Sequence, residues 1–212
     1  MRGKQFERYF DIVYLLYAIG CGIYLLYNSN TMAAVLAGSM TLVLAAGDAC
    51  HLVPRIADSY EHTGSYHKAL GRGKQMTSIT MTIFYILLWQ VALELFPISS
   101  GYSIVLYICS ILRILLCLMP QNQWTSKTPS VKWGIIRNVP FVVVGALTAL
   151  VYYQNRTILG AMSWIWLAVV ISFLCYIPVV LWAHRHRMLG MLMMPKTIAY
   201  MWIVLQCLSL AS

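Results

Sequence analysis

Three ionisable side chains, Asp48, His51 and Arg55, stand at the end of an apolar stretch that runs from Met32 to Val53. Intervals of three and four residues place all three on one face of a helix. Charge inside a bilayer is costly unless it is paired or hydrated, so such residues are candidates for function. We predict that Asp48 is a catalytic acid or base and that His51 shares its proton. The alternative is an interfacial cap, because Pro54 follows at once and predicts the end of the helix there.

The composition predicts that almost the whole chain lies in a membrane. Of its 212 residues, 60% are hydrophobic and 10% are charged, whereas a soluble domain carries about 25% charged residues. We therefore expect an all-α polytopic membrane helix bundle, with a single transmembrane domain over residues 1–212. A span needs about 20 apolar residues. Seven stretches qualify: Tyr9–Tyr27, Met32–Val53, Met76–Phe96, Tyr102–Met119, Trp133–Tyr153, Ala161–Trp182 and Leu189–Leu210.

The basic residues predict the orientation of the spans. Lys and Arg are concentrated before the first span and in every second connection, while the opposite loops contain only Arg156. The positive-inside rule then puts the N-terminus in the cytoplasm and the C-terminus outside, in a multi-pass protein of the cell membrane. The net charge of +9 is assigned to topology and to anionic lipid headgroups. We expect membrane lipids as partners and no nucleic acid, and a homo-oligomer is left open.

With this orientation, basic residues of several other spans lie at the depth of Asp48. The predicted substrate-binding residues, which would hold the phosphate of a lipid headgroup, are Arg55, Lys74, Arg113, Arg137 and His184. Arginine and lysine bind phosphate through charge-assisted hydrogen bonds. Asp48 is predicted to be the only acid deep enough to serve as a base. The expected site is a polar cavity that opens to the cytoplasmic leaflet.

No metal or other cofactor is expected, and zinc is kept as an alternative. Asp48, His51 and either His184 or His186 would supply three ligands, with water as the fourth. That set resembles the membrane hydrolases that include alkaline ceramidases and adiponectin-type receptors, which carry a His-x-x-x-His pair on the seventh span. The seventh span of this chain has no histidine, and His184 and His186 are wrongly spaced for one helical face.

A second resemblance rests on Gly47-Asp48, on Gly71 and Gly73, and on the aromatic segment from Pro195 to Gln206. Together these resemble the YhhN family of lysoplasmalogenase-like membrane proteins, which hydrolyse the vinyl ether bond of lysoplasmalogens. The resemblance implies a hydrolase built almost wholly of membrane spans, in which Asp48 acts on a lysophospholipid. The family's second acid, late in the chain, is missing, because no acid follows Glu94.

Three functions therefore remain open from the sequence. The first is a membrane hydrolase acting on a lysophospholipid-type lipid. The second is a small-solute or proton-coupled transporter in which Asp48 and Glu94 carry protons in turn. The third is a non-catalytic sensor or scaffold in which the Asp48 cluster only joins helix ends.

Overall fold

The computed structural model describes residues 2–61, 66–126, 130–182 and 187–211. Within these ranges it contains seven α-helices, four short 3-10 helices and no strand. The α-helices are α1 Arg2–Tyr27, α2 Met32–Glu61, α3 His67–Leu95, α4 Ser100–Leu118, α5 Val131–Gln154, α6 Ile165–Trp182 and α7 Met193–Cys207. The 3-10 helices are Pro120–Asn122, Gly160–Met162, Arg187–Leu192 and Leu208–Ala211. The described residues provide seven helices long and apolar enough to cross a membrane, which confirms the predicted all-α bundle of membrane helices.

Helices α2 and α3 extend beyond the predicted apolar spans. The predicted helix end at Pro54 is wrong, because α2 continues through Pro54 to Glu61. Proline has no backbone N–H, so Pro54 leaves the carbonyl of Cys50 without its usual helical donor. The backbone of Gly73 lies against that carbonyl so closely that a Cβ on Gly73 would overlap its oxygen. The close packing of the two extensions explains why α3 begins at His67, where the sequence predicted a loop.

The small residues of α2 let it approach its neighbours closely. Gly47 packs against the side chain of Thr80, with no room for a Cβ. The hydroxyl of Thr77 donates a hydrogen bond of 2.8 Å to the carbonyl of Gly47. Helix α2 also contacts α1 and α7. The helix that carries Asp48 is therefore held by three other helices.

An aromatic cluster fills the middle of the bundle, where α3, α5, α6 and α7 meet. The rings of Tyr85, Phe141, Phe173 and Tyr200 contact one another, mostly edge to face. The hydroxyl of Ser172 lies 3.3 Å from the hydroxyls of both Tyr85 and Tyr200. Edge-to-face pairs favour fixed ring positions. The cluster therefore holds its four rings in fixed positions next to the polar residues at one end of the bundle.

We call the end of the bundle at which α1, α3, α5 and α7 begin and α2, α4 and α6 end the basic end. Two adjoining cavities lie there, and every one of the seven helices contributes at least one lining residue.

Candidate functional site

The smaller cavity, of about 110 Å³, is here called the Asp48 cavity. Asp48, His51 and Arg55 all line it, so their predicted placement on one face of α2 is confirmed. The other lining residues come from α1, α2, α3, α7 and the 3-10 helix before α7. They are Glu7, Phe10, Asp11, Leu52, Thr77, Gly190, Met191, Met193, Met194, Lys196, Thr197 and Tyr200.

The Asp48 carboxylate is held by a residue of α1. The hydroxyl of Tyr14 donates a hydrogen bond of 2.6 Å to Oδ2 of Asp48, and the Tyr14 side chain is buried. Hydrogen bonds to an ionised acceptor are short and strong. Lys196 lines the same cavity and acts electrostatically on this carboxylate. Asp48 is therefore oriented by Tyr14 and faces a cavity that also contains a cation.

Arg55 is engaged by two acids of α1. Its guanidinium lies 2.6 Å from Glu7 and 3.7 Å from Asp11. Asp11 is only 7% exposed and lines the Asp48 cavity, so the prediction that Asp48 is the only deep acid is wrong. The ion pairs favour a role for Arg55 in holding α1 against α2. Binding of a headgroup by Arg55 stays a prediction.

The larger cavity holds about 360 Å³ and is here called the basic cavity. It is lined by three of the predicted phosphate-binding residues, Lys74, Arg113 and Arg137, and also by Lys196. No carboxylate lines it in the part of the chain that the structure describes. The remaining lining residues are His51, Thr77, Ser78, Met81, Trp124, Phe141, Tyr176, Val179, Val180 and Met193. Cations from α3, α4, α5 and α7 thus converge on one space, and their charges favour an anion there.

Arg113 is the most deeply buried of these cations. Its side chain is 2% exposed, and its guanidinium carbon lies 3.1 Å from the centre of the Phe141 ring. Its Nε and Nη1 atoms are buried and have no hydrogen-bond partner among the described residues. A buried arginine remains charged, so unused donors are costly to leave unpaired. Arg113 therefore lines the basic cavity with two donors that no described residue satisfies.

Arg137 and Lys196 are also fixed against aromatic rings. Arg137 donates a hydrogen bond of 2.8 Å to Oδ1 of Asn122, and its guanidinium lies 4.0 Å from the Trp124 ring. The Lys196 ammonium lies 4.8 Å from the ring of Tyr176. Stacking restricts the rotamers of long side chains and adds cation–π attraction. Three cations of the basic cavity are therefore held in place before any ligand arrives.

The two cavities share one wall. His51, Thr77, Met193 and Lys196 line both of them. Nδ1 of His51 is buried and has no hydrogen-bond partner among the described residues. The wall formed by these four residues therefore lies between the basic cavity and the cavity that Asp48 lines.

Several site residues were missed by the sequence analysis. Glu7, Asp11 and Tyr14 follow one another at intervals of four and three, which is the signal of one helical face. Lys196 directly follows Pro195 near the start of the seventh span, and no pattern around it in the sequence indicates a role. Trp124 lies in the connection after α4, and no sequence pattern connects it to Arg137.

His184 and His186 lie outside the described residues, as does His62. The predicted contribution of His184 to substrate binding therefore stays a prediction. Among the described residues, no group of three or more His, Cys, Asp or Glu side chains is placed to hold a metal ion. The zinc alternative depends on the two undescribed histidines and also stays a prediction.

Comparisons with known proteins add no assignment. No protein family, curated protein or solved structure matches the chain significantly.

Proposed function

We propose that this protein is an integral membrane hydrolase that acts on a lysophospholipid-type lipid. The observation that carries the proposal is the position of Asp48 beside a cavity that is rich in cations and free of described carboxylates. The resemblance to the YhhN family points to the same reaction class. The proposal assigns the basic cavity to the lipid phosphate and the Asp48 cavity to the bond that is cleaved.

The phosphate of the lipid would be bound by Lys74, Arg113 and Arg137. Arg113 offers two unpaired N–H groups from a side chain that is almost fully buried. Guanidinium groups bind phosphate oxygens in a bidentate manner, which fixes the orientation of the headgroup as well as its charge. A phosphate in this place neutralises a group of cations that have no acidic partner at the cavity wall.

Asp48 would supply the proton transfers. In its ionised form it takes a proton from a water molecule as that water attacks the carbonyl carbon of an acyl ester. It then gives the proton to the glycerol oxygen as the ester C–O bond breaks, which releases a fatty acid and a glycerol phosphate. A vinyl ether would instead be protonated on its carbon by the acid form and release an aldehyde after water is added. A positioned carboxyl group contributes about 10²–10⁴-fold to such steps.

The apolar part of the Asp48 cavity suits the hydrocarbon chain of the lipid. Phe10, Leu52, Met191 and Met194 form this side of the wall. Methionine side chains are flexible and adapt to irregular apolar ligands. With the phosphate in the basic cavity and the chain along this wall, the linkage between them passes His51 and Lys196 and reaches Asp48.

We further propose that the basic end faces the cytoplasm of the cell membrane, since the positive-inside rule favours that side. The C-terminus is then outside. Reporter fusions at the C-terminus test this: alkaline phosphatase is expected to be active there and a green fluorescent protein dark. The reverse pattern would contradict the orientation but would leave the site chemistry unaffected.

The hydrolase is tested with purified protein in detergent micelles that contain acyl and alkenyl lysophospholipids, with products measured by mass spectrometry. Asp48→Asn is expected to lower turnover by about 100-fold or more without changing lipid binding. Glu94→Gln is the matched control, because Glu94 is exposed and lies at the opposite end of α3. Equal turnover by Asp48→Asn and the parent protein would rule out Asp48 as the catalytic group. Absence of any cleavage by the parent protein, with lipid still bound, would reject the hydrolase in favour of a lipid sensor.

A further inference from the structure

We infer that the basic cavity selects a phosphate monoester, as in a monoacylglycerol phosphate, over the phosphocholine and phosphoethanolamine headgroups. The inference rests on the proposed function only in placing a lipid phosphate in this cavity. It is carried by a different observation, which is that the cavity's aromatic rings are already covered by cations of the protein itself.

Choline and ethanolamine headgroups need a site for their ammonium group. Proteins supply one with exposed aromatic faces or with carboxylates. The basic cavity has three aromatic rings, but Phe141 is covered by Arg113 at 3.1 Å and Trp124 by Arg137 at 4.0 Å. The third ring, Tyr176, carries the Lys196 ammonium at 4.8 Å. An incoming ammonium would therefore meet cations at each ring.

The charge of the wall leads to the same conclusion. Lys74, Arg113, Arg137 and Lys196 line the basic cavity, and no described residue of its wall is acidic. Asp48 lies on the other side of the shared wall, so its negative charge can compensate at most the positive charge of Lys196. A phosphate monoester carries a charge of about −1.5 to −2 at pH 7. A phosphocholine headgroup carries no net charge, so it would leave the cations uncompensated.

The stacked arginines also favour a terminal phosphate by their geometry. A monoester presents three oxygens that are free of substituents, whereas a diester gives one of them to the additional alcohol. Arg113 has unpaired donors at Nε and Nη1, which lie on different edges of the guanidinium plane. Two phosphate oxygens are needed to satisfy both of these donors. A second arginine, Arg137, faces the same space from α5.

Isothermal calorimetry on the full-length protein in a nonionic maltoside detergent tests the inference. The probes are a monoacylglycerol phosphate, a lysophosphatidylcholine of the same acyl chain, glycerol 3-phosphate and inorganic phosphate. The monoester lipid is expected to bind about tenfold or more tightly than the choline lipid. Equal or tighter binding of the choline lipid would overturn the inference. Binding of inorganic phosphate as tight as that of the monoester lipid would support the monoester chemistry and identify a soluble phosphate as the source.

Variants connect the selectivity to the stacked arginines. Arg137→Gln is expected to weaken binding of the monoester lipid by about tenfold. Arg113→Met is expected to weaken this binding by at least as much. Arg156→Gln is the matched control, because Arg156 is stacked on the Tyr153 ring at 4.0 Å but follows the opposite end of α5. Thermal unfolding of each variant shows whether it is folded. Unchanged monoester binding by a folded Arg137→Gln would contradict the inference, even if lysophospholipid cleavage were observed. Conversely, tight monoester binding without cleavage would reject the hydrolase alone.

Discussion

The hydroxyl of Tyr14 donates a hydrogen bond of 2.6 Å to the carboxylate of Asp48 and so connects the first helix to the proposed catalytic group. Asp48 has one oxygen fixed by this bond, which leaves the other for water or substrate in the Asp48 cavity. Tyr14 does not line either cavity. It is a positioning residue.

Tyr14→Phe removes this hydrogen bond and keeps the ring. Because the bond orients the base and not the lipid, we expect kcat to fall by about tenfold or more while the lipid dissociation constant is unchanged. Steady-state turnover and calorimetric binding measure the two quantities. If lipid binding were lost as well as kcat being lowered, Tyr14 would only support the fold.

Arg113→Met separates stability from function. A buried cation without an acidic partner is costly, and even buried ion pairs can be replaced by apolar side chains of similar volume with a gain in stability of about 1–4 kcal/mol. In the absence of ligand, we therefore expect a higher thermal midpoint in detergent for Arg113→Met than for the parent. Lipid phosphate binding is expected to be lost. A lower midpoint would mean that stacking on Phe141 outweighs the cost of burying the charge.

Gly73→Ala tests the contact between the α2 and α3 extensions. A methyl group at residue 73 would overlap the Cys50 carbonyl, and this backbone atom cannot turn aside. Overpacking of this kind costs about 1–3 kcal/mol. Gly20→Ala is the control, because a Cβ there would meet no atom within 4 Å. That change is expected to be neutral or stabilising by about 0.5–1 kcal/mol. Chemical unfolding in mixed micelles compares the two, and equal stabilities would contradict the close packing.

Arg55→Met tests the attachment of α1. It removes the partner of Glu7 and of the buried Asp11, so we expect a loss of about 1 kcal/mol or more of unfolding free energy, limited by the 41% exposure of the Arg55 side chain. The double variant Arg55→Met/Asp11→Leu is expected to recover part of it, because the unpaired buried carboxylate is removed as well. Arg72→Met, at an exposed position, is the control. Additive losses in the double variant would exclude coupling between the two residues.

The sequence was sufficient to predict the seven helices because each span needs an apolar run of a length set by the bilayer. It also predicted that Arg113 and Arg137 lie near Asp48, since helix direction and depth follow from the loop charges. The bounds of α2 and α3 were harder to predict. Proline usually ends or kinks a helix, but α2 continues through Pro54 to Glu61, and Gly73 packs against the carbonyl that Pro54 leaves without its helical donor.

Pairings between helices could not be read from the sequence. The depth of a residue does not say which neighbour its side chain meets, because that depends on the order and rotation of the helices. Arg55 is paired with α1 for this reason, although its spacing placed it with Asp48. The contact between Arg137 and Trp124 likewise depends on the path of the connection after α4, where Gln123 adopts a left-handed conformation with a φ of 51°.

In the basic cavity, a cation of the protein lies over each of the three aromatic rings, Phe141, Trp124 and Tyr176. This arrangement has a consequence for the comparison of homologous sequences and for protein engineering. Loss of the guanidinium at residue 137 would expose the indole of Trp124, and part of the proposed anion site could then bind ammonium groups through the exposed ring. Among homologous sequences that keep a tryptophan at 124, the residue type at 137 should therefore predict which type of lipid headgroup each protein binds. In the laboratory, the same position is the first to randomise when a biosensor for choline-bearing lipids is to be evolved from this scaffold.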